Sequence, residues 1–190
     1  MTHVADKLIE LLNIEQLEVD LFRGIGSGGE TTTRIFGGHV IAQALMAAYR
    51  TVPDRLCHSL HAYFIRPGDP KIPVIYQVDR ARDGGSFTTR RVVAIQHGKQ
   101  IFNLSASFHV DEEGWNYQHP MPQVGSPEDW PNRDELREAH VAKIPEKYHD
   151  DFLRQRPIEL REVAPRDFFT PEKASDKNQL WFRMESAKGQ

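Results

Sequence analysis

FGGHVIAQALMAAYRTVPD, residues 36–54, is the stretch that decides the fold. From Val40 to Tyr49 it carries one polar side chain, Gln43, and no charge. A helix that is apolar nearly all round has to be buried nearly all round. Ala42, Ala44, Ala47 and Ala48 let other elements approach it closely, and Pro53 and Asp54 end it. Gly37 and Gly38 stand immediately before it.

What covers such a helix is legible on both sides of it. Downstream, Leu56–Ile65, Ile72–Val78, Phe87–Ile95 and Gln100–Val110 read as strands. The last is the clearest: Phe102, Leu104, Ala106, Phe108 and Val110 alternate with Asn103, Ser105, Ser107 and His109. DGGS at 83–86 and His97-Gly98 are turns, so antiparallel hairpins are expected between these strands. Upstream, Glu18–Arg23 and Thr31–Phe36 read as strands around a glycine-rich loop. An antiparallel sheet curled around one early, all-apolar helix is an α+β architecture, the hotdog fold.

The chain has 190 residues, 39% hydrophobic and 27% charged, which describes a globular protein rather than a disordered one. With 24 Lys and Arg against 27 Asp and Glu, a net charge of -3 gives no basic surplus for nucleic acid. A single cysteine, Cys57, excludes a disulfide framework and any zinc site built on several thiolates. No run is long and apolar enough to span a bilayer. MTHVADKLIELL has the period of an amphipathic helix, and its acidic residues break the apolar run a signal peptide needs. The expectation is a cytoplasmic protein. Residues 1–110 read as the hotdog domain and 111–156, proline-rich with short helices over Arg133–Lys143 and Glu146–Arg154, as a linker. Ile158–Val163 and Leu180–Met184 read as strands again, so 157–190 reads as the start of a second, incomplete hotdog domain.

Several motifs are weaker than their spelling. Gly24, Gly26 and Gly29 satisfy G-x-G-x-x-G, but a Thr-rich run follows where a helix is needed, and Tyr49 stands where the ribose-binding acid would be. Asn103-Leu104-Ser105 is a sequon in the middle of a strand. G-x-S-x-G is absent, so a Ser-His-Asp hydrolase has no support. His58 and His61, an odd number apart on one strand, are expected to face opposite ways and not to share a metal. His58 shares its parity with Leu56, Leu60 and Phe64, an apolar face on which a histidine is more often a core residue than a base. Gly37 and Gly38 leave backbone N–H groups accessible at a helix start, where an oxyanion would be stabilised. The same glycines could serve only a tight turn. Gln43 must bond to substrate, water or a strand. Arg66, with Arg80, Arg82, Arg90 and Arg91, could meet phosphates or form a solvated face.

LFRG at 21–24, FGGHVIAQAL at 36–45, HSLHAYFIRPGD at 58–69, RDGGSFTTRRVVAIQHGKQIF at 82–102 and ASFH at 106–109 together resemble acyl-CoA thioesterase II, the TesB-type double-hotdog family. The likeness continues into RPIELREVAP at 156–165 and QLWFRM at 179–184. The resemblance implies hydrolysis of fatty acyl-CoA to free acid and CoA by an activated water, with no metal or cofactor, in a homo-oligomer. Its catalytic Asp, Thr and Gln belong to a second repeat and match no position here, so the chain is expected to be a fragment. Gly37, Gly38 and Gln43 match the family's positions at the first central helix, and His58 matches a histidine to which a supporting role falls. Arg66 is the candidate for the nucleotide phosphates. Two other readings compete: a non-catalytic acyl-CoA-binding or assembly module, and a hotdog enoyl-CoA hydratase or dehydratase built on Asp54 and His58.

Overall fold

The helix predicted to be buried forms α2, Gly37–Tyr49, and turns His39, Val40, Gln43, Ala44, Ala47 and Ala48 inward. The computed structural model describes residues 4–26, 33–167, 169–170, 172–173 and 175–184. These fall into two units, Ile9–Trp115 and Asn116–Gln190 together with Met1–Leu8. Gly29, the last glycine of the dinucleotide-like motif, and Thr31 and Thr32 of the expected upstream strand lie outside the described residues.

In the first unit a six-stranded antiparallel sheet is ordered β1-β2-β4-β5-β6-β3. Its strands are β1 (Glu15–Glu18), β2 (Leu21–Gly24), β3 (Leu56–Phe64), β4 (Val74–Asp83), β5 (Phe87–Gln96) and β6 (Lys99–His109). The apolar parity read in the last strand is the one that folds inward: Phe102, Leu104, Ala106 and Phe108 are at most 1% exposed. They meet Val92 and Ala94 of β5, Tyr76 and Val78 of β4, Phe22 of β2 and the alanines of α2 in one core. Ala44, Ala47 and Ala48 have no exposed surface, so the sheet packs against their methyl groups with no room to spare. His97 (φ 49°) and Gly98 (φ 68°) make the two-residue turn between β5 and β6, both in the left-handed region that a type I′ hairpin requires.

The structure corrects several expectations. Leu56–Phe64 and Val74–Asp83 do not form a hairpin: β3 pairs with β6, Leu56 opposite His109 and Phe64 opposite Phe102, and closes the far edge of the sheet. Pro67, Pro70 and Pro73 between them make a crossing, not a tight turn. Pro73 also delays β4, which starts at Val74 and runs on to Asp83, past a bulge between Asp79 and Arg82. Glu18–Arg23 is two short paired strands turned at Val19-Asp20, and residues 33–36 enter α2 without strand structure.

Among its described residues the second unit holds the short α-helices α3 (Arg133–His140) and α4 (His149–Phe152) and a two-stranded sheet of β7 (Glu159–Glu162) and β8 (Leu180–Arg183). Asn132 caps α3 by accepting from the Glu135 N–H at 2.8 Å, while Glu135 returns the bond to the Asn132 N–H at 3.0 Å. Asp167 accepts from the Thr170 hydroxyl at 2.7 Å and the Phe169 N–H at 2.8 Å, bonds that hold its carboxyl down at about 2. The remaining helix, α1 (Val4–Leu12), precedes β1.

Candidate functional site

The start of α2 is built so that its first peptide groups stay open. Phe36 occupies the cap position in an extended conformation (φ -63°, ψ 131°) and provides no side-chain cap. Its carbonyl accepts from the N–H of His39 at 3.0 Å and of Val40 at 3.4 Å. Among the described residues nothing accepts from the N–H groups of Gly37 and Gly38. Two aromatic rings flank these glycines: a Cβ on Gly37 would come within 2.9 Å of Phe64 Cζ, and one on Gly38 within 2.5 Å of Phe36 Cε1. Phe64 is seated on buried Phe102, ring centroids 5.0 Å apart, yet stays 57% exposed, and Phe36 is 78% exposed. The result is the positive end of a helix with two free donors between apolar walls. Such a mouth suits a carbonyl attached to an apolar chain, whose oxygen gains charge during attack.

Arg66 shares this end of the sheet. The RPGD turn that carries it is tied to the entry into α2, where the Ile35 N–H donates to the Gly68 carbonyl at 2.9 Å. Arg66 Nη1 donates to the Gln100 carbonyl at 2.7 Å, and the side chain is exposed. The Gln96 amide braces the turn from below, accepting from the Asp69 N–H at 2.8 Å and donating to the Asp69 carbonyl at 3.0 Å.

Gln43 serves the interior. Fully buried, it donates through Nε2 to the carbonyls of Leu11 at 2.6 Å and Ile25 at 3.2 Å, and its Oε1 accepts from Tyr76 Oη at 2.9 Å. Burial raises the Tyr76 hydroxyl well above its ordinary range, which keeps it a neutral donor. Gly24 is required beside this amide, since a Cβ there would stand 2.1 Å from Gln43 Oε1. One turn earlier on the same helix face lies His39, which sequence reasoning passed over although its i, i+4 spacing to Gln43 marks it. His39 is 9% exposed, and burial lowers its pKa against the opposing pull of the Ile25 carbonyl and Gln43. The Phe36 and Phe64 rings were also missed, because nothing in their local pattern says they face the glycines.

His58 is not on an apolar face. A bulge between Cys57 and Ser59 shifts the parity of β3, so that Cys57, Leu60 and Ala62 pack on the core while His58 is exposed. Its Nε2 lies 2.9 Å from Ser107 Oγ, and its ring meets Phe87 at 5.7 Å. Six residues separate it from Phe64, ~20 Å of extended strand, so it stands at the opposite end of β3 from Gly37 and Gly38. The same bulge leaves both His58 and His61 exposed, correcting the expectation that they are turned to opposite faces. Among the described residues no group of three His, Cys, Asp or Glu side chains could hold a metal.

The arginines do not act as a set. Arg90 is 1% exposed and donates to Thr51 Oγ1 at 2.8 Å, the Thr51 carbonyl at 3.0 Å and Asp83 Oδ1 at 2.6 Å, so it ties the end of α2 to the sheet. Arg80 pairs with Asp20 at 2.8 Å. Buried Arg90 is not available to a phosphate.

Residues 27–109 match the family model described as acyl-CoA thioesterase N-terminal domain. Acyl-CoA thioesterase 2 of Haemophilus influenzae is 38% identical over 184 residues, 96% of this chain and 64% of that protein. Acyl-coenzyme A thioesterase 8 of Rattus norvegicus is 39% identical over 181 residues, 91% of this chain and 57% of that one. The crystal structure of an acyl-CoA thioesterase II from Mycobacterium marinum superposes with a TM-score of 0.68 at 39% identity, covering 93% of this chain and 60% of that one. A hot dog protein from Alicyclobacillus acidocaldarius, 22% identical with a TM-score of 0.71, shows the fold alone, covering 98% of this chain and 64% of that one. The chain therefore spans less than two thirds of the length of these relatives. The chain is thus similar to acyl-CoA thioesterases over nearly all its length, and its residues 27–109 match the model of that family's N-terminal domain.

Proposed function

We propose that the protein to which this chain belongs hydrolyses acyl-CoA thioesters to a free fatty acid and CoA. Water attacks the thioester carbonyl, a base takes its proton, the carbonyl oxygen becomes an oxyanion, and the C–S bond breaks as CoA leaves and is protonated. The observation that carries this reading is the uncapped start of α2, with Gly37 and Gly38 between the Phe36 and Phe64 rings, in a chain related to acyl-CoA thioesterases over 96% of its length. In this reading the glycine amides receive the carbonyl oxygen, the two rings border the acyl chain, and Arg66 meets the charged end of CoA. Gln43 positions α2 rather than touching substrate, because its amide is already engaged on both atoms. The base comes from the portion of the relatives this chain does not cover, and residues 157–190 begin that second repeat. Assembly with further copies and a role in lipid metabolism belong to the same proposal; a cytoplasmic location is proposed with it, and no helix among the described residues is long and apolar enough to cross a membrane.

The test is CoA release from a medium-chain and a long-chain acyl-CoA, followed with a thiol reagent, on this chain and on one extended through a second repeat. Turnover in the extended chain alone is the expected result. Turnover by residues 1–190 alone would place the base within this chain, and none in either would remove the proposal.

A further inference from the structure

His39 lies buried in the first turn of α2, beside the glycine entrance. Its Nε2 is buried with no hydrogen-bond partner among the described residues. A neutral imidazole can leave one nitrogen unprotonated there at modest cost, whereas an imidazolium has two N–H donors, both of which need acceptors. It also sits in the first turn of α2, where the helix dipole opposes positive charge.

Among the described residues no compensating anion faces it. From α1 and the loop after β2 the neighbouring groups of the Gln43 network are the neutral Leu11 and Ile25 carbonyls, and Glu10 on α1 is exposed. Tyr76 from β4 is neutral and already donates to Gln43. Arg23 of β2 pairs with Glu15 on the exposed side, and Arg34, ahead of the helix, is exposed. Arg90 of β5 reaches Thr51, beyond the far end of α2, where Tyr49 and Cys57 also lie. The inward residues of β6 are Phe102, Leu104, Ala106 and Phe108. Nε2 is shut away from solvent, so this nitrogen is placed to act on the fold.

We propose that His39 is an acid-responsive latch on the first turn of α2: neutral, it is packed beneath the turn; protonated, it leaves the core and the turn opens, disrupting the Gly37–Gly38 entrance. The latch acts on the helix start whatever reaction the entrance serves.

The test is NMR on the wild-type chain, following the His39 imidazole and amide hydrogen exchange together from about pH 7.5 to about pH 5.5. After correction for intrinsic rates, protection at Val40, Ile41 and Ala42 is expected to fall about tenfold more than at Ala44–Ala48, in step with imidazole protonation. His39→Gln, which cannot be protonated, is expected to abolish the difference. Protonation of the wild-type imidazole with no selective loss in the first turn overturns the latch, as does the same loss in H39Q. Should H39Q not fold, the wild-type coincidence of the two titrations decides alone.

Discussion

Gln43 is the residue on which most of the interior polar chemistry turns. It bonds to the Leu11 and Ile25 carbonyls and the Tyr76 hydroxyl at once, so Gln43→Leu deprives the buried Tyr76 hydroxyl and two part-buried carbonyls of that partner. A loss of roughly 3 kcal/mol is expected in denaturant unfolding. Gly24→Ala is expected to act on the same network, since its new methyl group would displace the Gln43 amide, and the two changes together should cost less than their sum. His39 makes the stability of this unit pH-dependent. Its folded pKa lies below the unfolded value of about 6.5, so the unfolded chain takes up the proton first as pH falls. Its contribution is complete above about pH 6.5 and is lost as pH drops from there toward the folded value; unfolding midpoints for wild type and His39→Gln should converge in that window.

At the level of elements, α2 and the sheet fit each other through alanines. Ala47 has no exposed surface, and a larger side chain there pushes the helix off the sheet. Ala47→Leu is therefore expected to destabilise by about 1–3 kcal/mol, with the fold retained, as read from thermal or denaturant unfolding. β3 carries two different surfaces at its two ends, His58 beside Ser107 and Phe64 beside the start of α2. His58→Ala in the extended protein is accordingly expected to leave kcat within about twofold, because the side chain lies some 20 Å along the strand from the glycines. A loss of two orders of magnitude would bring His58 back as a catalytic group.

For the whole molecule, every residue of the buried core, from Ile14 to Phe108, belongs to the Ile9–Trp115 unit. A shorter chain of residues 4–115, which keeps α1 intact, is expected to unfold cooperatively and to retain near-UV circular dichroism, the signature of fixed aromatic packing. Loss of that signal would mean that the remaining residues are needed to hold the sheet together. Such a fragment is also expected to be inactive toward acyl-CoA, like the 190-residue chain, because the base in the proposed reaction lies in neither.

The identity of the central helix, the inward parity of β6, the His97-Gly98 turn and the two glycines ahead of α2 are all local facts. Each follows from side-chain chemistry within a few residues, which is why the hotdog architecture could be read without coordinates. The position of β3 is not local: its partner β6 lies about 40 residues away, and only closure of the sheet decides that pairing. The orientation of His58 depended on a single bulge, since one extra residue reverses the parity on which any strand reading rests. Arg90 could be read as part of a solvated face until Thr51 and Asp83 supplied its acceptors, and His39 drew no reading until burial left its Nε2 without one. In both cases the sequence specifies the charge or the donor; the partner that gives it meaning comes from elsewhere in the chain and is fixed only by packing.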